Sequence, residues 1–526
     1  MQADVVVVGA GPVGQTTALL LARWGVSCIV VDERAQREPG GSRAICQQRD
    51  VLDVWDAVGA GEQIAAEGTT WSRARTYFRD QELFCVNYAD EGRGRFPAWV
   101  NLSQSRTEAI LDERVAAQPL VMRRWGHRAI TLVQDAAGVQ VTCETASARV
   151  EISAAYAVVC SGARDRLLHE QLGVELRGRT FEDQFVISDL HVQMPEWRNE
   201  RRFYFDPPWN PGRQVLIHSC PDQTFRIDWQ VPVDLDLRAE IADGRHDRRI
   251  RAIVGDRPYR ALFQSSYRFH SRHVERMRVG RVLIAGDAAH LVSPFGARGL
   301  NSGVQDAENA AWKLAFVIRG WAPATLLDSY HDERLAAALE NIEVTERTMR
   351  FLVPRDAPER DHRAALLERA VSDLAARREV DSGRLAEPYW YTRSALTTPD
   401  PRRAFAGRPD AGRAPAPGPG ILIPEHGIDG PRGWLRRLVR DGLLLLCADD
   451  VDAARFGEAL RDAVTAPSCA YRAGELDASG SLAHTFGISR NDVWLVRPDG
   501  HIAATLHAPS ASGVVAATRR CLGAPA

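Results

Sequence analysis

The sequence of 526 residues contains nine cysteines but no CxxC pair, and their spacing matches no set of metal ligands. An odd, scattered set of cysteines is typical of reduced intracellular thiols and argues against a disulfide framework or a zinc site. His270 and His273 lie three residues apart, but no further ligand residues accompany them. We therefore expect structural histidines and no bound metal.

The sequence also lacks an apolar run of membrane-spanning length and an excess of charge of one sign. It has 66 lysines and arginines against 68 aspartates and glutamates, a formal net charge of −2. A nearly neutral chain gives no reason to expect nucleic acid or a membrane as a partner. Because a strand begins by Val5 with no basic leader before it, we expect a cytoplasmic protein.

Residues 2–34 have the pattern of a strand, a glycine-rich turn, a helix and a second strand. The β-branched run 5–8 leads into GAGPVG at residues 9–14, and the second strand ends at the acidic pair Asp32 and Glu33. This fingerprint predicts dinucleotide binding, with the diphosphate at the helix start and one of the two acids on the ribose. The predicted cofactor contacts in the turn are Gly9, Gly11, Pro12, Val13 and Gly14.

A second glycine-rich loop lies at residues 281–301, RVLIAGDAAHLVSPFGARGLN. The apolar run 282–285 predicts a buried parallel strand, and a helical pattern follows the loop through residues 304–318. The N–H groups of the loop and the positive end of the helix would face a planar, electron-rich ligand. No second strand–GxGxxG–helix unit occurs, so we expect no separate nicotinamide domain.

The second loop resembles the flavin-contacting motif of the group A flavoprotein monooxygenases, the single-component aromatic hydroxylases with the p-hydroxybenzoate hydroxylase fold. GDAAH at residues 286–290 and PFGARGLN at residues 294–301 carry the resemblance. It implies a bound FAD, with Asp287 holding the ribityl chain and Pro294 beside the isoalloxazine. It also favours Glu33 over Asp32 as the ribose ligand, because the family has a Glu-Arg pair here. The other positions implied to contact FAD are Arg34, Arg43, Gln104, Gly299 and the backbone of Leu300 and Asn301.

The turn after the strand at residues 156–160 departs from the family pattern. The family usually has Asp-Gly-Ala-Arg-Ser, whereas this chain has Ser161 in place of the aspartate and Asp165 in place of the serine. The family's aspartate is credited with contacts that serve FAD and NAD(P)H. The substitution therefore leaves the choice between NADH and NADPH open.

The segment from 173 to 275 is rich in short strands separated by turns, and residues 69–100 share this character. In the resembled family such segments form an antiparallel sheet that covers the flavin and shapes the substrate pocket. Strand alternation places Arg226 and Asp228 on one face and Trp229 on the other, without showing which face meets the substrate. The candidate pocket residues are Tyr204, His218, Arg226 and Trp229.

With the resemblance, we therefore expect an α/β protein with a Rossmann-like FAD-binding domain, an interleaved antiparallel substrate sheet and a C-terminal domain. The β–α–β–β order after residue 420 is similar to the thioredoxin-like domain appended to many of these hydroxylases, and without CxxC it cannot perform dithiol chemistry. The predicted parts are 1–172 and 276–400 for FAD, 173–275 for substrate, a linker at 401–420 and the thioredoxin-like domain at 421–526.

The resemblance implies an FAD-dependent monooxygenase that uses NAD(P)H as a transient co-substrate and hydroxylates an aromatic ring with O2 through a flavin C4a-hydroperoxide. The motifs are closest to the branch of 3-(3-hydroxyphenyl)propionate and phenol hydroxylases, so a small phenolic compound is the first substrate class. The alternatives are a polyketide, or an FAD-binding oxidase or sensor that does not hydroxylate. A homodimer is compatible with the sequence.

Overall fold

The computed structural model describes residues 1–37, 44–88, 94–410 and 413–524, apart from the side chains of Arg166 and Glu182. Up to residue 172 the chain alternates strands and helices. The helices are α1 (Pro12–Arg23), α2 (Arg49–Asp56), α3 (Gly61–Glu67), α4 (Gln104–Ala116) and α5 (Arg166–Leu172). The strands are β1 (Gln2–Val8), β2 (Cys28–Val31), β3 (Cys46–Gln48), β4 (Thr69–Thr70), β5 (Arg73–Phe78), β6 (Gln81–Asn87), β7 (Trp99–Asn101), β8 (Val121–Arg124), β9 (Arg128–Gln134), β10 (Val139–Glu144) and β11 (Arg149–Val159).

The middle of the chain consists mainly of strands. They are β12 (Arg177–Val192), β13 (Glu200–Phe205), β14 (Gln214–Cys220), β15 (Thr224–Val231), β16 (Tyr259–His273), β17 (Arg278–Val279), β18 (Val282–Ile284) and β19 (His290–Leu291). Two helices, α6 (Leu237–Ala242) and α7 (Arg245–Val254), interrupt them.

The last part begins with long helices and ends in a small mixed domain. The helices are α8 (Gly299–Ile318), α9 (Asp328–Leu352), α10 (Ala357–Ala370), α11 (Leu374–Glu379), α12 (Leu435–Val439), α13 (Ala453–Ala463), α14 (Ala473–Leu476), α15 (Ser481–Phe486) and α16 (Ala511–Cys521). The strands are β20 (Leu443–Cys447), β21 (Ser468–Arg472), β22 (Asp492–Val496) and β23 (Ile502–His507).

The first sheet has the order β17-β18-β11-β1-β2-β8, and β10 and β9 extend it from β11. β1 is parallel to β2 and to β11, and β11 is parallel to β18. The valines at positions 5–8 are at most 5% exposed, as expected for a central parallel strand with both faces covered. The carboxyl ends of these four strands therefore meet at one edge, where both glycine-rich loops begin.

The second sheet has the order β19-β16-β12-β15-β14-β13-β5-β6. It takes β5 and β6 from the first part of the chain, where residues 69–100 were expected to contribute. One face packs against α6 and α7, and the other meets the second glycine-rich loop at Phe295 together with α9 and α10. Strands β3, β7 and β4 form a small third sheet between the two large ones.

The C-terminal sheet has the order β21-β20-β22-β23, with β20 parallel to β21 and antiparallel to β22. This is a thioredoxin-like arrangement, and the predicted α/β fold class is confirmed, while the domain boundaries stay predictions. Leu443 and Leu445 of β20 share one apolar core with Trp312 and Phe316 of α8. The C-terminal domain thus packs directly on the helix that follows the second glycine loop.

Within the described ranges, the helices are too short or too polar to cross a membrane. The same residues contain no group of three or more histidines, cysteines or carboxylates placed to hold a metal ion.

Candidate functional site

The two glycine-rich loops, 275 residues apart in sequence, lie side by side in the structure. A β carbon added at Gly303 would lie 2.7 Å from Val13 Cγ2, and one added at Gly286 would lie 3.0 Å from the same atom. Val13 therefore fills the space that the missing side chains of the second loop leave. The close approach of α1 and α8 depends on these glycines.

The first loop leaves the start of α1 open. Gly9 has φ +105°, and a β carbon there would lie 2.4 Å from the carbonyl oxygen of Cys160, so the turn packs tightly on β11. Gly11 is the N-cap of α1; no side chain caps the helix, and a β carbon at Gly11 would meet no atom within 4 Å. The uncapped N–H groups of α1 thus face open space, as binding of a diphosphate requires.

The acid at the end of β2 that points into this turn is Asp32. Its Oδ2 accepts a hydrogen bond from the Ala10 N–H at 2.8 Å, and its Oδ1 accepts one from Arg34 Nε at 2.8 Å. Burial acts to raise the pKa of Asp32, but the hydrogen bonds from Arg34 and Ala10 outweigh it and lower the pKa. Glu33, the predicted ribose ligand, is exposed next to it.

A buried ion network stabilises the second loop. Asp306 of α8 accepts hydrogen bonds from the Gly286 N–H at 2.9 Å and from His290 Nε2 at 2.7 Å, and Arg334 Nε lies 2.6 Å from its other oxygen. These contacts lower the pKa of Asp306 against the opposing effect of burial. Asp287 lies on the other side of the loop, with its side chain exposed at the sheet edge.

The start of α8 provides a second set of free backbone N–H donors, in addition to those at the start of α1. Gly299, Leu300 and Asn301 form its first turn, and no side chain caps it. The Asn301 side chain is engaged elsewhere: its Oδ1 accepts from the Gln48 N–H at 2.9 Å and its Nδ2 donates to the Cys46 carbonyl at 3.0 Å. The N–H groups of the first turn therefore remain available to an acceptor-rich ligand edge.

Three further positions from the sequence analysis, Gln104, Pro294 and Ser161, lie near the two loops. Gln104 Oε1 accepts from the Ala44 N–H at 3.2 Å, next to the segment that contains Arg43, which lies outside the described residues. Pro294 is exposed in the second loop. Ser161 follows β11 beside Gly9, and its buried Oγ has no hydrogen-bond partner among the described atoms. Uncapped helix starts, an orphaned hydroxyl and an exposed carboxylate together fit a dinucleotide that carries a diphosphate and hydroxyl groups.

The second sheet turns Arg226 and His218 toward these loops. His218 Nδ1 lies 3.7 Å from Cys46 Sγ, and Arg226 pairs with His218 across β14 and β15. Burial, together with Arg201 and Arg226, lowers the pKa of His218, so this ring is neutral at pH 7.

Tyr204 and Trp229 lie on the opposite face of the sheet, so the structure does not bring these two candidate pocket residues together with Arg226 and His218. Tyr204 stacks on Tyr77 at a centroid distance of 4.6 Å, and Trp229 packs edge-on against His246 of α7 at 5.7 Å. Because successive residues of a strand point to opposite faces, Asp228 points to the face opposite Trp229, which is the face that meets the second loop.

Aromatic rings line the face that meets the second loop. Phe295, which follows Pro294, lies with its ring centroid 5.5 Å from those of Phe185 and Phe269 and 6.0 Å from that of Phe203. These four rings form a wall, which we call the phenylalanine wall.

Beside the phenylalanine wall lies a polar pair that the sequence analysis did not assign to the site. Tyr267 donates its hydroxyl hydrogen to Asp228 Oδ1 at 3.3 Å, and Tyr267 packs against Phe269 with centroids 4.8 Å apart. Burial raises the pKa of Asp228 to about 7. Alternation had already grouped Asp228 with Arg226, whereas Tyr267 lies on β16, within the strand-rich segment 173–275, and was not a candidate site residue.

Residues 2–345 match a family model described as an FAD binding domain. The chain is 29% identical to 6-methylpretetramide 4-monooxygenase of Streptomyces rimosus, over 95% of this chain and 90% of that relative. It is 30% identical to a 3-(3-hydroxy-phenyl)propionate/3-hydroxycinnamic acid hydroxylase of Mycolicibacterium smegmatis, over 67% of this chain and 61% of the relative.

Among solved structures, the flavin-dependent monooxygenase PieE in complex with FAD and substrate matches with a TM-score of 0.84 at 23% identity, over 100% of both chains. This likeness supports the fold. The family match across 2–345 carries the assignment: the chain belongs to the FAD-binding-domain family and is one of its FAD-dependent aromatic monooxygenases.

Proposed function

We propose that the protein hydroxylates a phenolic ring, using NAD(P)H and O2, on the face of the second sheet that meets the second loop. The observation that carries this proposal is the placement of Asp228 and Tyr267 beside the phenylalanine wall. An apolar enclosure with a few convergent polar groups suits an aromatic ring that bears a hydroxyl.

We further propose which residues hold FAD. The open start of α1 at Gly11 binds the diphosphate, and Asp32, rather than Glu33, binds the ribose, since only the Asp32 carboxylate reaches the turn. Asp287 binds the ribityl chain, and the first turn of α8 binds the ring edge. Bound FAD supplies the electron transfer and oxygen activation that no side chain provides.

The protein's own contribution is to orient the ring, exclude water and accept a proton. The phenylalanine wall shields the reacting space from water. The O–H bond of the phenol breaks, its proton passes to a carboxylate oxygen of Asp228, and the phenolate that remains is the better nucleophile. A pKa of about 7 suits Asp228 to this transfer near neutral pH.

The first prediction concerns Asp228. Asp228→Asn removes the proton acceptor, so we expect hydroxylation to fall at least a hundredfold, a typical general-base contribution. The wild-type rate should rise with pH through about 7, where Asp228 loses its proton, and this limb should be absent in the variant. The measurement is the rate of product formation from pH 5.5 to 8.5.

The charged and titratable groups that face Asp228 are Arg226 on the same strand, Asp189, Tyr267 and Arg201. A stability measurement separates the chemical role from a folding defect. The pKa of Asp228 is raised in the folded state, so stability is lost as pH rises from its ordinary value of 3.8 to about 7, and the full cost is present above 7. Asp228→Asn should therefore melt no lower than the wild type at pH 8. Unchanged activity in the variant would remove Asp228 from the mechanism.

The second prediction concerns Asp287. Asp287→Ala removes an acceptor for the ribityl hydroxyls, and a hydrogen bond to a charged group contributes about 1.5–3 kcal/mol. We expect FAD to bind ten to a hundred times more weakly, measured as the fluorescence of flavin released on dilution. Asp361→Ala, on the exposed side of α10, is the control and should keep full occupancy. Equal flavin retention in both variants would contradict the assignment.

A direct test of the function is a screen of phenols for faster NAD(P)H oxidation under 18O2. The expected result is a product that carries one 18O atom. Oxidation that yields only hydrogen peroxide with every aromatic compound would support the oxidase or sensor alternative, which Ser161 keeps open.

A polyketide is the second candidate substrate. The observation that favours it is the alignment of the 6-methylpretetramide monooxygenase over 95% of the chain, against 67% for the hydroxyphenylpropionate enzyme. Including both compound classes in the screen decides between them.

A further inference from the structure

Arg334 of α9 contacts the second glycine-rich loop at two points. Its Nε donates to Asp306 Oδ1 at 2.6 Å, and Asp306 in turn accepts from the Gly286 N–H at 2.9 Å, near the start of the loop. Its Nη2 donates to the carbonyl oxygen and the Oγ of Ser302 at 3.1 and 3.2 Å, directly after the loop. Arg334 is 1% exposed, so water does not weaken these bonds. The position of this guanidinium therefore affects both ends of the loop.

Tyr391 connects Arg334 to the thioredoxin-like domain. Its hydroxyl oxygen accepts hydrogen bonds from Arg334 Nη1 at 3.0 Å and from Asn309 Nδ2 at 3.2 Å. The centroid of its ring lies 4.2 Å from that of His501 and 5.0 Å from the guanidinium carbon of Arg497. His501 and Arg497 belong to the turn between β22 and β23. One buried side chain thus contacts both the arginine next to the second loop and the C-terminal domain.

Asn309 of α8 provides a second connection. Its Nδ2 also donates to Glu333 Oε2 at 2.8 Å, and Glu333 accepts two bonds from Arg497. Because an ionised carboxylate only accepts hydrogen bonds, this contact fixes the orientation of the amide. Asn309 is 1% exposed, and its Oδ1 meets no donor of the described residues. A buried acceptor without a donor costs stability, so stability alone does not explain this arrangement.

We propose that Tyr391 and Arg334 are positioning residues through which the thioredoxin-like domain holds the second loop in the geometry that binds FAD. A buried ion pair contributes little net stability, because the loss of hydration offsets the attraction between the charges, but a connected group of them favours one geometry. The domain has no CxxC and no dithiol chemistry, and this contact gives it a task. The proposal rests on the proposed contact of the second loop with FAD.

The first test is Tyr391→Phe, which removes the hydroxyl and keeps the ring beside His501. Without this hydroxyl, a fraction of the molecules holds the loop in other geometries, and FAD should bind at least about three times more weakly. The affinity is measured on the full-length holoenzyme as flavin fluorescence released on dilution. The absorbance spectrum of the bound flavin should change as well, because a loop held less firmly contacts the ring differently. Tyr259→Phe, which removes a hydroxyl that donates to Asp247 of α7, is the control and should match the wild type.

The second test changes the C-terminal domain. His501→Ala removes the ring that packs on Tyr391, and we expect a similar weakening of FAD binding although His501 belongs to the other domain. In the Tyr391→Phe background, His501→Ala should cause no further loss, because the connection through which it acts is already broken. His507→Ala, in the same domain and with a side chain 48% exposed, is the control and should keep the affinity of the wild type.

Unfolding of each variant by denaturant, followed by circular dichroism, shows which effects are only structural. A lower unfolding midpoint with unchanged FAD affinity in Tyr391→Phe and His501→Ala, or full additivity of their effects on affinity, would overturn the proposal. Should Tyr391→Phe not fold, the FAD affinity of His501→Ala decides: a weaker one supports the proposal and an unchanged one overturns it.

The outcomes also separate this proposal from the proposed function. If Asp287→Ala keeps its FAD, the assignment of the second loop fails, and the role of Tyr391 fails with it. If the wild type hydroxylates no phenol but the two variants still bind FAD more weakly, the proposed function fails and the role of Tyr391 stands.

Discussion

Gly11→Ala is expected to yield a folded protein that has lost its FAD. Gly11 has φ −72°, which alanine adopts without strain, and the added methyl group would meet no protein atom within 4 Å. It would instead enter the space in front of the N-terminus of α1, where the diphosphate approaches the backbone. We expect FAD content to fall more than tenfold, measured as the ratio of flavin to protein absorbance after purification.

Two comparisons make this result specific. Gly513→Ala, in the partly exposed first turn of α16, should keep full flavin content. Gly14→Ala should fail to fold, because its β carbon would lie 1.9 Å from the Gly9 carbonyl oxygen. The melting curve of Gly11→Ala should match that of wild-type apoprotein. A yellow Gly11→Ala protein would show that the diphosphate does not bind at this turn.

Glu333→Ala is expected to cause a large loss of stability in a protein that still folds. Glu333 on α9 accepts hydrogen bonds from Arg497 at 2.6 and 2.9 Å and from Lys313 at 2.7 Å, and all three side chains are at most 1% exposed. Removing the carboxylate leaves two buried cations with only Asp499 as a partner. Breaking a buried ion pair in this way costs about 3–5 kcal/mol.

The measurement is chemical unfolding of the holoenzyme, followed by flavin fluorescence and by circular dichroism. Arg490→Ala is the control: its ion pair with Asp450 is at the surface, with Arg490 89% exposed, and should contribute about 0–1 kcal/mol. If the two variants unfold at the same denaturant concentration, the cluster does not stabilise the contact between the domains.

The cluster also predicts how stability depends on pH. Burial lowers the pKa of Lys313 to about 8 from its ordinary 10.5. A folded-state pKa below the unfolded value means that Lys313 disfavours folding below pH 8, and that this cost disappears as pH rises from about 8 to 10.5. Arg497 and Lys313 hold the pKa of Glu333 below its usual range despite burial, so its contribution is present above pH 4.5 and is lost in acid.

The sequence was most informative where one physical requirement dominates a segment. The valines of β1 are predictable because a central parallel strand needs apolar side chains on both faces. GAGPVG and GDAAH are predictable because tight backbone approach permits few residues besides glycine. For these reasons both loops, and FAD as the cofactor, could be recognised before any coordinates.

The face of the second sheet that meets the substrate could not be predicted, because no single physical requirement dominates its sequence. All but the first residue of β15 are buried, because helices cover one side and the second loop covers the other, so alternation shows no apolar and polar face. Tyr267 of β16 was not recognised as a site residue because most side chains of this strand are partly or fully exposed. Partnerships such as Tyr267 with Asp228 arise only from tertiary structure.

Helix α8 begins at the second glycine-rich loop and ends in the core of the thioredoxin-like domain. There Trp312 Nε1 donates a hydrogen bond to Asp499 Oδ2 at 3.1 Å. A chain cut near residue 400 would expose Trp312 and Phe316, in the last two turns of that helix, to water. Such a fragment would aggregate before it could be loaded with flavin. Chimeras that exchange the C-terminal domain between relatives therefore need α8 from the same parent.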